Sequence, residues 1–176
     1  MSKFLSEEYS AVMLLRSSLK TPIGALSLIS RDQILLAAGF QSHEKLQNGL
    51  SHADKESDYK KVSSIPAISQ LLSDYFDGDL SAIDGITVDQ PGEKFSQLAW
   101  KGMRRVTPGK VISYADLARK AGSPDAVRAA GSACARNLIA VVVPCHRIVK
   151  TGGALGNYAY GLKYKEWLLR HEGAIK

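Results

Sequence analysis

The stretch Ser113-Tyr114-Ala115-Asp116-Leu117-Ala118-Arg119-Lys120-Ala121-Gly122-Ser123-Pro124-Asp125 decides how the C-terminal half folds. Ser113, with an acidic residue three positions on at Asp116, is a capping-box pattern that opens a helix. Gly122 ends that helix, because glycine takes the left-handed backbone of a C-terminal cap at no steric cost. Ser123-Pro124 then reads as a second start, with serine as cap and proline at the first helical position. Two short helices joined by one glycine-containing turn make a helix-turn-helix candidate. Many helical domains hold such a pair, so the motif gains weight only from its surroundings.

The second of these helices, Asp125–Arg136, is built almost wholly of small residues: Ala126, Ala129, Ala130, Gly131, Ser132, Ala133 and Ala135. Arg128 is the one long side chain before its last residue. Tight helix–helix packing explains such a surface; so does a slim helix entering a narrow groove with Arg128 as its probe. The next segment favours the second explanation. Residues 139–149 read Ile-Ala-Val-Val-Val-Pro-Cys-His-Arg-Ile-Val, a β-branched run expected to form a buried strand or extended segment ended by Pro144. In a regular strand Cys145 and His146 would point to opposite faces. A turn at the proline lets thiol and imidazole share a pocket, and a cationic, partly buried setting would favour the reactive thiolate.

Upstream, a helix is expected from about Phe95 to Val106 with Leu98, Ala99 and Met103 on one face, stopped by Thr107-Pro108-Gly109. Asp89-Gln90-Pro91-Gly92 breaks any periodic element and divides the chain into residues 1–92 and 93–176. In the first part, Ile23–Ile29 and Ile34–Phe40 flank Ser30-Arg31-Asp32-Gln33 as a hairpin. Ala67, Ile68, Leu71, Leu72, Tyr75 and Phe76 recur at helical spacing up to Gly78. This half reads as a small α+β unit with nothing chemical in it. His43 and His52 lie in a polar stretch and read as surface residues.

The 176 residues carry a net charge of +6 that is unevenly placed. Residues 1–92 hold 8 Lys+Arg against 12 Asp+Glu, net −4; residues 93–176 hold 15 against 5, net +10. A polyanion-binding half joined to a supporting half has this asymmetry, although a merely solvated basic surface fits equally well. Two cysteines, Cys134 and Cys145, make neither a disulfide framework nor a zinc site and point to a reducing compartment. No apolar run approaches the ~20 residues of a membrane span. Met1–Tyr9 is too charged for a secretory signal peptide.

Pro144-Cys145-His146-Arg147-Ile148-Val149 resembles the active-site signature of the O6-alkylguanine-DNA alkyltransferases. The resemblance extends back through Val111-Ile112-Ser113-Tyr114, Arg128-Ala129 and Asn137, and forward through Gly156-Asn157-Tyr158 and Lys165-Glu166-Trp167-Leu168-Leu169-Arg170-His171-Glu172-Gly173. It is dense over about the last 80 residues and loose before them, where only Tyr75-Phe76-x-Gly78 matches. It implies an α+β fold: an N-terminal ribonuclease H-like unit over 1–92, and a mostly helical winged helix-turn-helix unit over 93–176 carrying the site.

The resemblance also implies roles. Cys145 is the nucleophile that takes the alkyl group once and irreversibly. His146 draws its proton, in this family through a water molecule, and Glu172 holds the imidazole tautomer. Asn137 braces the turn, and Tyr114 donates to guanine N3. Tyr158, Ile148, Ala159 and Tyr160 surround the base, partly through main-chain groups. Arg128 fills the gap left by a base flipped into the pocket from the minor groove, and Tyr114, Ala115, Ser123, Ser96 and Thr151 contact DNA. The partner is double-stranded DNA holding alkylated guanine, with O4-alkylthymine as a second lesion of the same chemistry. A monomer without cofactor, metal or membrane is expected, in the bacterial cytoplasm or the nucleus.

The chain departs from the family's usual pattern in two places. Leu138 follows Asn137 where proline is usual, which would loosen the turn. Tyr160 stands where glycine is common, and is expected to narrow the pocket against bulky adducts. The zinc ligands of some eukaryotic members are missing. Cys134 reads as core packing and His171 as a helix-end residue. The rival readings are a lesion sensor, a transcription regulator and a cysteine hydrolase. The sensor replaces this cysteine, the regulator lacks a sensing domain here, and the hydrolase needs a histidine distant in sequence.

Overall fold

The structure, a computed structural model, describes residues 12–176; the charged stretch Met1–Tyr9 lies outside them. Strands β1 (Met13–Thr21), β2 (Gly24–Arg31) and β3 (Ile34–Gly39) run antiparallel in sequence order. The expected hairpin is β2–β3, but its turn is only Asp32-Gln33, since Ser30 and Arg31 still pair with β3. Asp32 takes φ 52°, a left-handed backbone that aspartate tolerates better than most residues. Ile23, expected in a strand, belongs to the tight β1–β2 turn instead. β1 itself carries no clear apolar run and was not expected.

Two short helices, α1 (His43–Gln47) and α2 (His52–Lys55), precede an edge strand β4 (Asp58–Lys61) that pairs parallel with β1. Helix α3 (Ile68–Phe76) ends before Gly78 as its spacing predicts, with φ 114° at that glycine. A two-residue strand β5 (Thr87–Val88) completes the sheet order β4-β1-β2-β3-β5. The mixed α+β fold class is as expected.

The sheet is covered on both faces because β2 and β3 are apolar on both. Ile29, Leu36 and Ala37 pack with Leu46 and Leu50 beneath α1. Leu26, Leu28, Leu35 and Ala38 face one large cluster with Leu72, Tyr75, Met103, Leu117 and Leu168, so the core runs unbroken between the two halves of the chain. Each fully buried leucine, isoleucine or methionine among them contributes about 1.5–3 kcal/mol.

Helix α4 (Lys94–Arg104) buries Ala99, Trp100 and Met103, but not Leu98, which is 39 % exposed. The inward stripe is therefore rotated from the expected one and includes Ser96. Strand β6 (Ile112–Ser113) leads into helix α5 (Tyr114–Lys120), whose capping box is present as predicted: Ser113 Oγ accepts from Asp116 N, and Asp116 accepts from Ser113 N.

Helix α6 (Val127–Arg136) starts later than Ser123-Pro124 suggested. Ser123 N donates to Ala118 O and Gly122 N to Arg119 O, the paired bonds that close α5 around a left-handed glycine. The serine is thereby spent on ending α5, and Ser123 O accepts from Ala126 N in an intervening turn. Strand β7 (Ile148–Val149) pairs parallel with β6, and helix α7 (Leu162–His171) closes the chain.

Candidate active site

The β-branched run 139–143 is buried but is not a strand. Ile139 makes a single parallel bridge to Ala38, with Ala38 N donating to Leu138 O and Ala140 N to Ala38 O. The backbone then turns. Val141 has φ 71°, a strained conformation for a β-branched residue that costs on the order of 1–3 kcal/mol and persists only where its surroundings enforce it. The enforcing group is Asn137. Its Nδ2 donates to Val143 O at 2.8 Å and to Ile139 O, and its Oδ1 accepts from Ile139 N at 3.1 Å. One side-chain amide thus replaces the partners that a neighbouring strand would supply.

Pro144 follows, then one 3-10 turn over Cys145–Arg147. The turn separates the thiol from the imidazole. Cys145 lines a cavity of about 680 Å³, open on one side, with Tyr114, Arg128, Gly131, Tyr158 and Ala159 on its walls. His146 is wholly buried behind it. His146 Nε2 lies 2.8 Å from Glu172 Oε1, while Nδ1 makes no hydrogen bond among the described residues. With the Nε2 proton on the carboxylate side, Nδ1 carries the free lone pair.

Glu172, at the C-terminal cap of α7, is heavily partnered. Arg147 Nε donates to Oε2 at 3.0 Å and Arg147 Nη2 to Oε1 at 2.8 Å, and Tyr75 Oη donates to Oε1 at 2.7 Å. Arg147 Nη1 also donates to Val106 O. Burial alone would raise the Glu172 carboxyl, yet His146 and Arg147 hold it far below the ordinary carboxylate range. Burial lowers His146 in spite of Glu172, so its imidazole is neutral at neutral pH.

Burial raises the Cys145 thiol, opposed by the Asn137 amide and by the charge of Lys165. The expectation of a thiolate-favouring setting is therefore corrected: desolvation outweighs the nearby cation, and the resting thiol is protonated. Burial likewise pushes Cys134 up; it lines the same cavity while packing against the core. Tyr114 is pushed up to about 12, chiefly by burial, and stays a donor. Its hydroxyl lies so near Gly156, at φ 73°, that a Cβ there would come within 2.9 Å of it.

The structure gathers Cys145, Tyr114, Arg128, Tyr158 and Ala159 around one cavity, with His146, Glu172 and Asn137 behind it. It does not bring in the others. Ser96 is on the buried face of α4, so its reading as a DNA contact is corrected by the rotation of that helix. Ala115, Ser123 and Thr151 lie outside the cavity, as does Ile148, whose carbonyl accepts from the buried Lys165 Nζ at 2.7 Å. Tyr160 is also absent from the lining residues, although it stands near enough to Cys145 for that group's charge to add to the upward push of burial on its phenol. Its ring packs edge-on against Phe40 and Tyr158 at 5.5 and 5.7 Å, and its hydroxyl occupies the place a Cβ on Gly39 would take.

Helix α6 combines the two readings of its small residues. Ala130 and Ala133 are buried, and Trp100 Nε1 donates to Ala133 O, whereas Gly131 faces open space and the cavity. His171 ends α7, stacked on Trp167 with Nε2 against Tyr75 O. Sequence reasoning missed Tyr75, Arg147, Lys165 and Gln90. The first three stand inside matched motifs but were given no role. Gln90 stood in what read as a mere break.

Among the described residues no group of three or more His, Cys, Asp or Glu is placed to hold a metal ion. Among the same residues no helix is long and apolar enough to cross a membrane.

Fold and site define a class: a mixed α+β protein that presents a buried thiol, backed by a histidine–carboxylate–arginine network, on the wall of a cavity beside a slender helix. Residues 94–174 match the family model described as 6-O-methylguanine DNA methyltransferase, DNA binding domain. The methylated-DNA–protein-cysteine methyltransferase of Salmonella typhimurium is 37 % identical over 166 residues, 92 % of this chain and 97 % of that protein. The human protein of that name is 52 % identical over 77 residues, 44 % of this chain and 37 % of that protein. The crystal structure of Mycobacterium tuberculosis OGT in complex with DNA superimposes with a TM-score of 0.78 at 28 % identity, covering 91 % of this chain and 93 % of that one. The chain belongs to the O6-methylguanine DNA methyltransferase family.

Proposed function

We propose that the protein repairs DNA by direct reversal, moving the alkyl group of O6-alkylguanine to Cys145 in a single irreversible turnover. The observation that carries this reading is the buried His146–Glu172 pair behind a protonated thiol that faces an open cavity. The sulfur–carbon bond forms as the carbon–O6 bond breaks, and the electron pair passes to the purine. Tyr114, protonated at neutral pH, donates to N3 of the departing guanine and lowers the cost of that charge. The thiol proton goes through a water molecule to His146, whose cation Glu172 stabilises.

A stacked base cannot reach the thiol, so the guanine flips into the cavity. Helix α6 enters the minor groove, and Arg128, exposed at the cavity mouth, takes the vacated place in the stack. Residues 1–92 form the supporting unit, ribonuclease H-like in its antiparallel β1–β3 with a parallel β4 beside β1. Residues 93–176 form the DNA-binding unit, a winged helix-turn-helix built on α5, α6 and the β6–β7 pair. The protein acts as a monomer. A lesion sensor or transcription regulator is not favoured, since neither needs a thiol with this support.

Duplex DNA carrying radiolabelled O6-methylguanine tests the reading. One equivalent of label moves to the wild-type protein and none to Cys145→Ala. Label that stays in DNA, or repeated turnover, rules the reading out.

A further inference from the structure

Leu138, next to Asn137, has a backbone N–H beside the catalytic turn that must be satisfied. Leu138 N donates to Gln90 Oε1 at 2.8 Å, and Gln90 Nε2 donates to Asn137 Oδ1 at 3.0 Å. Gln90 is 5 % exposed and lies in the segment joining β5 to α4. Its own carbonyl accepts from Gln97 Nε2 at 2.7 Å, so the residue is held at both ends.

The two amides fix each other's orientation. A side-chain amide can rotate half a turn and exchange its oxygen for its nitrogen. If Gln90 did so, its NH2 would face Leu138 N–H, donor against donor. If Asn137 did so, its NH2 would face both Gln90 Nε2 and Ile139 N, and its oxygen would face the carbonyl of Val143. Only one arrangement satisfies every group, and it aims Asn137 Nδ2 at Val143 O, two residues before the thiol.

We propose that Gln90 is a positioning residue for Cys145, locking the Asn137 amide from outside the catalytic half. This rests on the reading of Cys145 as the alkyl acceptor. The Asn137 amide also opposes the upward push of burial on the Cys145 thiol, so its orientation bears on thiolate formation as well as on backbone shape.

The test compares wild type, Gln90→Ala and Gln90→Met, the last keeping the side-chain bulk in case alanine impairs folding. Three quantities are read: the transfer rate at saturating labelled duplex, the Kd for undamaged duplex, and the pH midpoint of thiol alkylation by iodoacetamide. Both variants are expected to lose about tenfold in rate, the worth of one buried hydrogen bond, with Kd within about twofold of wild type. The alkylation midpoint moves to higher pH. In a Leu138→Pro background, which has no N–H to satisfy, Gln90→Ala costs less than about threefold. Unchanged rate and midpoint in Gln90→Met, or an undiminished effect in the proline background, overturns the proposal. If wild type transfers no label while the midpoint still moves, the alkyl-transfer reading falls and the positioning role stands.

Discussion

Arg147 and Glu172 meet through two hydrogen bonds of 3.0 and 2.8 Å in a site where both are buried, and His146 shares the same carboxylate. Removing one member of such a pair strands the other charge, at a cost of about 3–5 kcal/mol. Glu172→Gln is therefore expected to lose stability on that scale in denaturant unfolding, and to slow transfer. A variant within 1 kcal/mol of wild type would show the network to be loosely held.

The depressed Glu172 carboxyl also sets an acid response. Its folded-state pKa lies below the unfolded value, so its contribution is fully present above an unfolded pKa of about 4.3 and is lost as pH falls through the folded one. Wild type should weaken steadily below about pH 4.5, whereas Glu172→Gln should weaken less over the same range. Parallel curves for the two proteins would assign acid sensitivity elsewhere.

The pH dependence of transfer follows from two opposite displacements. His146 is lowered by burial, so it remains a competent base below its ordinary 6.5; Cys145 is raised by burial, so direct thiolate attack begins above the ordinary range. The single-turnover rate should be nearly flat between these limits. In His146→Gln it should instead climb with pH toward about 9 and beyond. A wild-type rate rising tenfold per pH unit through neutrality would mean that the thiol ionises unaided.

Tyr160 acts on packing. Tyr160→Gly should leave the ratio of benzyl to methyl transfer unchanged, because the ring lies off the cavity wall. Gly39→Ala sets a methyl group where the Tyr160 hydroxyl sits. Overpacking of that kind costs about 1–3 kcal/mol, and the melting temperature should fall by several degrees. A changed adduct ratio in Tyr160→Gly, with stability intact, would return the residue to the pocket.

Lys150 and Arg128 both line the cavity and are exposed. Lys150→Ala should make the salt slope of DNA binding shallower by about one unit, with no effect on transfer from free O6-benzylguanine. Arg128→Ala should slow repair of duplex DNA and spare the free base. Equal losses on both substrates would place these residues in the chemistry.

Much of this was written locally. Ser113 and Asp116 announce their helix because a capping box needs only four consecutive residues. The β2–β3 hairpin follows from two apolar runs around a polar break, though its turn is shorter than the four residues expected, and the Pro-Cys-His turn follows from its motif. What stayed hidden depends on distant partners. Tyr75 reaches Glu172 across 97 residues and Gln90 reaches Asn137 across 47. Three consecutive valines promise a strand; a single amide at Asn137 bends them into a turn, which no local propensity records. Leu98 and Trp100 are both apolar, and only packing against α5 and α6 decides which of them turns inward.

The outward surface of α6, with Gly131, Ser132 and Ala135 along the cavity side, offers few groups that can read a base edge. The minor groove in turn displays only a coarse distinction between A·T and G·C pairs. On the proposed minor-groove docking, a helix so bare would be illiterate by construction: it would pass over genetic text of any composition and stop only where a base comes out of its stack. Indifference to neighbouring letters is what a guardian of the whole genome requires.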